Sequence, residues 1–318
     1  MKVAPNEEGL AQSGAAGALQ ELYDAYKPLV FSLAYRMLGS VMDAEDVVQE
    51  TFLYINQQLQ AGTDIRTPKA YLCKIATNKC IDKLRASSAK RETYVGPWLP
   101  EPLLTEASTP DGALSHKESL GTAYLLLLQQ LSWVERAVFV LREVLQYEYD
   151  EIADIVGKSP ANTRQIFHRA KKAISGQDAG GEAGEGTGRQ ASPPSSTTAQ
   201  VVEQFVQALV SGNVQRLLSM MKQDAVLYSD GGGKVQAAVR PILGAERIIA
   251  FITGVLAKVP EGYRFSLEMV NGQLGITGYI HEEPYHVTTF HLKGEQIEAV
   301  YLVANPNKLR HLAGRGQT

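Results

Sequence analysis

Residues 177–198 read QDAGGEAGEGTGRQASPPSSTT, and no other run restricts the fold of this chain so strongly. Glycine, serine and proline dominate it and leave nothing for a core to bury, so a flexible linker is expected. A chain of 318 residues interrupted there must build at least two separately buried cores. Hydrophobic residues at 44% and charged residues at 20% suit such globular parts. No apolar run approaches the ~18 residues of a membrane-spanning helix, and the first 20 residues lack the order of a signal peptide. Cys73 and Cys80 stand two turns apart on one predicted helix, too far for a disulfide, and read as small buried side chains. Together these features lead to the expectation of a cytoplasmic protein. The formal net charge of −3, with a pI near 6.1, argues against a protein that holds DNA by its own charge. Either DNA is not a partner, or another subunit supplies the positive field.

Residues 1–19 are rich in small side chains and are expected to form a loose tail. Between 22 and 38, Leu22, Tyr26, Leu29, Val30, Leu33, Ala34 and Met37 recur at helical spacing, with Pro28 as a point of kinking or restart and Gly39 as terminator. The stretch 39–55, GSVMDAEDVVQETFLYI, predicts a helix capped by Asp43. Ala44, Val47, Val48, Thr51, Phe52 and Ile55 make its apolar stripe, and Glu45, Asp46, Gln49 and Glu50 its polar face. Taken alone, that face is an ordinary solvated one. Pro68 opens a further helix, on which Cys73, Ala76, Thr77, Cys80, Ile81 and Leu84 cluster on one side. Tyr71, Lys74, Asn78, Asp82 and Arg85 fall on the other. An aromatic that can stack, an amide that can read a base edge and cations that follow phosphates suit single-stranded DNA. A solvated mixed-charge face is the alternative.

Periodicity fails from 86 to 120, where Pro, Ser and Thr accumulate around Trp98-Leu99-Pro100-Glu101-Pro102. A tryptophan in a proline-fixed extended segment is expected to dock against something. Helical periodicity returns over 121–145, with Ser132 and Glu135 spaced as a capping box. Residues 149–156 and 160–174 then predict a helix-turn-helix, with Gly157-Lys158-Ser159 as the turn and Pro160 at the first helical position. On the second helix Ile166, Phe167, Ala170 and Ile174 point inward, while Arg164, Gln165, His168, Arg169 and Lys172 point outward, disposed for a major groove. No acidic residue occurs between Lys158 and Ser175.

Beyond 198 the pattern becomes α+β. Helices are predicted at 200–210, 214–221 and 245–258, the last with Ile248, Ile249, Ile252 and Val255 as its buried stripe. Strands are predicted at 225–230, 263–270, 273–280, 285–292 and 296–302, the last four as an antiparallel meander. Asp230, His281, Glu283, His286 and His291 offer no evident acid–base pair or metal set, so no catalysis, cofactor or metal is expected. Asp230-Gly231-Gly232-Gly233-Lys234 is either a flexible hairpin tip or a close approach of backbone to another surface, and it lacks the spacing of a phosphate-binding loop.

The helix 39–55, preceded by SLAYRMLGS and followed by TPKAYLCKIATNKCIDKLR, resembles conserved region two of the extracytoplasmic-function sigma factors. The helix-turn-helix that follows resembles region four. DGGGK here, WLPEP in the linker and NPNKL at 305–309 resemble the subgroup with a fused C-terminal SnoaL-like domain. The resemblance implies a multi-domain fold: a region 2 helical bundle, a region 4 helix-turn-helix, and an α+β SnoaL-like cone. The domain boundaries expected are a tail at 1–19, region 2 at 20–93, a linker at 94–120, region 4 at 121–176, a flexible linker at 177–198 and a regulatory domain at 199–318. It implies a promoter-specificity subunit whose partners are bacterial RNA polymerase core and promoter DNA. Glu45, Asp46, Gln49 and Glu50 would meet the polymerase; Tyr71, Lys74, Asn78, Asp82 and Arg85 the minus-ten strand; Arg164, Gln165, His168, Arg169 and Lys172 the minus-thirty-five duplex. The interdomain regulatory residues would be Trp98, Leu99, Pro100, Asp230, Gly231, Gly232, Gly233, Lys234, Asn305, Pro306 and Lys308. Members of the subgroup usually carry Asp where this chain has Asn307. A small ligand in a C-terminal pocket is a further candidate partner. The rival readings are a SnoaL-like small-molecule enzyme or sensor fused to a DNA-binding output, and a repressor using only the helix-turn-helix.

Overall fold

The computed structural model describes residues 15–105, 121–175 and 195–314. The expected tail and the two linkers therefore fall largely outside the described residues. The chain divides into two compact units, one built from residues 1–89 and 127–183, the other from 90–126 and 184–318. Among the described residues no helix is long and apolar enough to cross a membrane.

The first unit is helical. α1 (Ala15–Leu38) begins inside the expected tail and runs through Pro28, then stops at Gly39, whose φ of 67° only glycine adopts cheaply. α2 (Val41–Gln60) is capped by Ser40 and not by Asp43: the Ser40 hydroxyl accepts from the Asp43 amide at 3.1 Å. The glycine turn places Ser40 one residue before the helix, and Asp43 lands in the first turn, where its charge still favours the dipole. The predicted stripe of α2 is buried, and each large apolar side chain there contributes about 1.5–3 kcal/mol. α3 (Pro68–Glu92) buries Cys73, Ala76, Thr77, Cys80 and Ile81. Both cysteines are free thiols.

α4 (Thr122–Gln130) leads to α5 (Trp133–Phe139), which carries the expected capping box and continues into a π-helical turn, Val140–Val144. α6 (Tyr149–Val156) and α7 (Pro160–Ser175) are the helix-turn-helix, joined through Gly157 at φ 65°. Phe167 of α7 stacks on Phe139, and Ile166 and Ala170 are buried beside it.

The second unit is built on a six-stranded sheet. α8 (Ser195–Val210) starts three residues before the end of the expected flexible linker, and α9 (Val214–Met220) follows. β1 (Met221–Asp230), β2 (Ile242–Leu243), α10 (Ala245–Leu256), β3 (Tyr263–Val270), β4 (Gln273–Ile280), β5 (Glu283–Lys293) and β6 (Gln296–Val303) come next, then a short α11 (Pro306–Leu309). The strand order is β2-β1-β6-β5-β4-β3; β1 and β6 are parallel and the other pairs antiparallel. Helices α8, α9 and α10 bury one face through Val202, Phe205, Leu217, Ile248, Ile276, Phe290 and Val300. Val255, expected in the stripe of α10, is 38% exposed because the helix ends one residue after it.

The opposite face of the sheet is covered by chain that the sequence marks as linker. Leu99 packs with Val270, Val287, Tyr301, Val303, Leu309 and Leu312, and Leu104 and Leu126 join them. Leu104 bridges antiparallel to Val270, with Thr105 N donating to Met269 O and Asn271 N to Leu103 O. Residues 94–105 are thus a layer of this unit and extend its sheet edge.

Candidate functional site

On α2, Glu45, Asp46, Gln49 and Glu50 are all exposed, but they are not alike. Lys83 of α3 donates to Asp46 at 3.2 Å and Lys79 to Glu50 at 2.9 Å. Burial works against the charge on Lys83, but the hydrogen bond and charge of Asp46, with Asp43 and Glu50 behind, outweigh it and raise its pKa. Two of the three carboxylates on that face are therefore paired from α3, and Met42 and Leu53 stand exposed on the same helix.

On α3, Lys74, Asn78, Asp82 and Arg85 are exposed, and Tyr71 is half-buried. Burial, then Tyr54, raises the Tyr71 phenol. Arg85 lies 3.6 Å from Asp82, and its guanidinium sits 4.3 Å from the centroid of the Trp133 ring. On α7, Ser159 caps the helix by accepting from Asn162 N at 3.3 Å, and Arg164, Gln165, His168, Arg169 and Lys172 all face solvent. Arg164 lies over Tyr149 at 5.3 Å, and Arg169 is 4.0 Å from Glu135.

The densest polar cluster lies in the second unit and centres on Asp230, which is fully buried. Strand alternation explains its direction: Leu227 points into the helix-covered core, whereas Tyr228 belongs to the opposite face, and Asp230 is two residues further along. One carboxylate oxygen accepts from the Tyr94 hydroxyl at 2.5 Å. The other accepts from Leu99 N at 2.8 Å and from Lys308 Nζ at 2.7 Å. Lys308, also buried, donates to the Leu99 carbonyl and lies 3.7 Å from the Trp98 ring centroid and 5.0 Å from that of Tyr94. Asn305 caps α11 through Asn307 N at 3.1 Å and donates its amide to the Tyr94 hydroxyl at 2.8 Å. Pro306 is the first residue of α11 and is exposed. Burial, then the hydrogen bond to Asp230, raises the Tyr94 phenol far above its ordinary value.

The glycines are where they must be. Gly232 has φ 58°, and a Cβ on it would come within 2.1 Å of Asn305 Nδ2. A Cβ on Gly231 would lie 2.6 Å from that of Ala237, and one on Gly233 3.2 Å from Val95. Lys234 N closes the turn on Gly231 O at 3.0 Å, and the Lys234 side chain is exposed. The loop and residues 95–96 enclose a cavity of about 30 Å³, room for about one water. Pro100 is buried in the docked segment, and His311 Nε2 meets the Pro102 carbonyl at 2.7 Å. His286 is held by the Tyr263 hydroxyl at 2.9 Å and Thr288 at 3.3 Å, and burial lowers its pKa to about 4.

Two family profiles match the chain, Sigma-70 region 2 at residues 22–90 and Sigma-70, region 4 at residues 122–174. Over 298 residues, 90% of this chain and 91% of the relative, it is 31% identical to the ECF RNA polymerase sigma factor SigJ of Mycobacterium tuberculosis. The chain belongs to the extracytoplasmic-function sigma factors. This sigma factor is also 25% identical over 260 residues to a probable ECF RNA polymerase sigma factor, SigI, of the same species, covering 74% of this chain and 85% of that one. The crystal structure of M. tuberculosis SigJ matches it with a TM-score of 0.71 at 28% identity, over 91% of this chain and 97% of that chain. It is a sigma factor with a C-terminal SnoaL-like domain.

Within the sigma factor, the structure brings Trp98, Leu99, Asp230, Gly232, Asn305 and Lys308 into one cluster, and leaves Lys234 and Pro306 at its rim. Tyr94 belongs to that cluster and carries no signal in the sequence beyond its place four residues before Trp98. Asn271, which receives Leu103 N at 3.0 Å, was likewise hidden, since a turn asparagine at φ 52° reads only as a hairpin residue.

Proposed function

We propose that this sigma factor reads promoters with α3 and α7, docks on RNA polymerase core through α2, and is controlled in cis by its SnoaL-like domain through residues 94–105. It catalyses nothing itself. Tyr71 and Asn78 would hold a melted minus-ten strand, with Lys74 and Arg85 on its phosphates; Asp82 positions Arg85. Arg164, Gln165, His168, Arg169 and Lys172 would enter the upstream major groove and meet its phosphates. Glu45 and Gln49, which no lysine of α3 engages in a hydrogen bond or ion pair among the described contacts, would lead the contact with polymerase, and Asp46 and Glu50 would join by exchanging Lys83 and Lys79 for polymerase cations.

The observation that carries the regulatory part is the Asp230 node. The segment between region 2 and region 4 is held on the C-terminal sheet by a buried carboxylate, a buried ammonium and the side chain of Leu99. Whatever this segment does in a transcribing complex, it does against the free energy of leaving that sheet. Run-off transcription with purified core polymerase tests the reading, comparing the full-length protein, Asp230→Asn, and a chain ending after Ser175. Promoter-specific transcripts whose amount changes when the node is broken support it. Equal transcription from all three removes the regulatory claim, and none from any removes the promoter claim.

A further inference from the structure

The sheet of the SnoaL-like domain ends in two unlike edges. β2 is two residues long and offers little for another strand to pair with, but β3 runs for eight residues and closes the order on the other side. Edge strands are commonly kept from pairing by a proline, a lysine or a bulge. β3 reads YRFSLEMV, holds no proline or lysine, and keeps an unbroken register against β4. Thr105 N donates to Met269 O, and Asn271 N to Leu103 O, so these groups mark the side of β3 that faces away from β4. By the two-residue period of a strand, the N–H and C=O of Phe265 and Leu267 face the same way. Among the described residues neither has a backbone partner on that side. Leu267 lies opposite Ile276 of the helix-covered core, so Phe265 and Leu267 form the outermost row of that apolar face. They stand 42% and 38% exposed.

The run Arg264-Phe265-Ser266-Leu267-Glu268 is self-complementary. In an antiparallel pairing of two copies of β3 about a twofold axis at Ser266, Phe265 of one lies opposite Leu267 of the other, and Arg264 opposite Glu268. Phe265 and Leu267 then satisfy each other's outward N–H and C=O, and their side chains cover each other. Arg264 and Glu268 fall at the non-hydrogen-bonded positions, where facing side chains come closest. Arg264 is paired with Glu282 within the chain, but both side chains are well exposed, so that pair can exchange partners at little cost. We infer that the SnoaL-like domain binds a second copy of this chain through the β3 edge, joining two six-stranded sheets into one. Residues 103–105 occupy the Met269–Asn271 end of that edge and limit the pairing to the run before it. A contact of that length suits a weak, reversible dimer and not an obligate one.

Sedimentation velocity on the full-length protein tests this, and it needs neither polymerase nor promoter. The expected result is a concentration-dependent shift from 34.7 kDa toward twice that mass. A protein that stays monomeric up to about 100 µM, well into the range of a weak interface, overturns the inference, whatever other strand that edge accepts. Arg264→Glu or Glu268→Arg alone sets like charges opposite each other at two symmetric places and should weaken the dimer about tenfold or more. The two substitutions together restore opposite charges, and most of the lost affinity should return. Damage that was merely structural would accumulate in the double variant, so recovery there is the deciding readout. Phe265→Lys, at an exposed position, should abolish the dimer. A dimer indifferent to these changes, or a double variant no better than the singles, overturns pairing through β3.

Discussion

Two sets of lysine–carboxylate pairs in this protein have nearly the same length and opposite meaning. Lys79–Glu50 and Lys83–Asp46, at 2.9 and 3.2 Å, join α3 to α2 with carboxylates 47% and 59% exposed. Lys308–Asp230, at 2.7 Å, has side chains 7% and 0% exposed. Water and salt compete for the first set, so each pair is worth about 0.2–1 kcal/mol and can exchange partners at little cost. The second cannot exchange anything without leaving a charge in the interior, which costs about 3–5 kcal/mol. Short distance is common to both; burial decides that one set can exchange partners and that the other is a fastener.

The largest way to break that contrast is Asp230→Ala. It strands Lys308 and frees Leu99 N and the Tyr94 hydroxyl, and should destabilise the SnoaL-like domain by about 3–5 kcal/mol in urea unfolding. In the double variant with Lys308→Met the loss should be clearly smaller than the sum of the two single losses. Additive losses would mean the pair does not act as a unit.

A second group, the partly buried His286, sharpens the comparison through pH. His286 titrates near 4 when folded and near 6.5 when unfolded. Between those values the unfolded chain binds more protons, so stability is full above about pH 6.5 and falls as the pH drops toward 4, by at most about 3 kcal/mol. Urea midpoints between pH 7 and 4.5 should show this fall, and His286→Gln should flatten it.

Gly232→Ala forces a side chain at φ 58° into Asn305 and should cost about 1–3 kcal/mol while loosening the docked segment. Faster proteolysis after Tyr94 or Trp98 in that variant is the readout. The smallest expected effect is Lys79→Ala with Lys83→Ala: a change in unfolding free energy under about 2 kcal/mol for the two pairs together, with a measurable change in affinity for core polymerase. A large loss of stability there would show that the exposed pairs are fasteners too.

Much of this was legible in local pattern. The stripes of α2 and α3, the Ser132–Glu135 capping box and the turn at Gly157 follow from spacing alone, because a helix is decided within a few residues. Where local rules tied, the sequence misled: Ser40 and Asp43 are both good caps, and only the course of the chain out of α1 chose Ser40. The acidic face of α2 was visible, but not that Lys79 and Lys83, 29 and 37 residues from their partners, neutralise part of it.

The sequence by itself determined the element types, the helix-turn-helix, the family, and the residues that carry its motifs. The resemblance already grouped WLPEP, DGGGK and NPNKL as one regulatory set; tertiary structure alone decided that they meet around Asp230, that Tyr94 joins them, and that a segment reading as linker is a layer of the C-terminal domain. The reason is range: residues 94–105 form hardly any structure of their own, and their burial depends on strands more than 100 residues away. No local periodicity records such a contact.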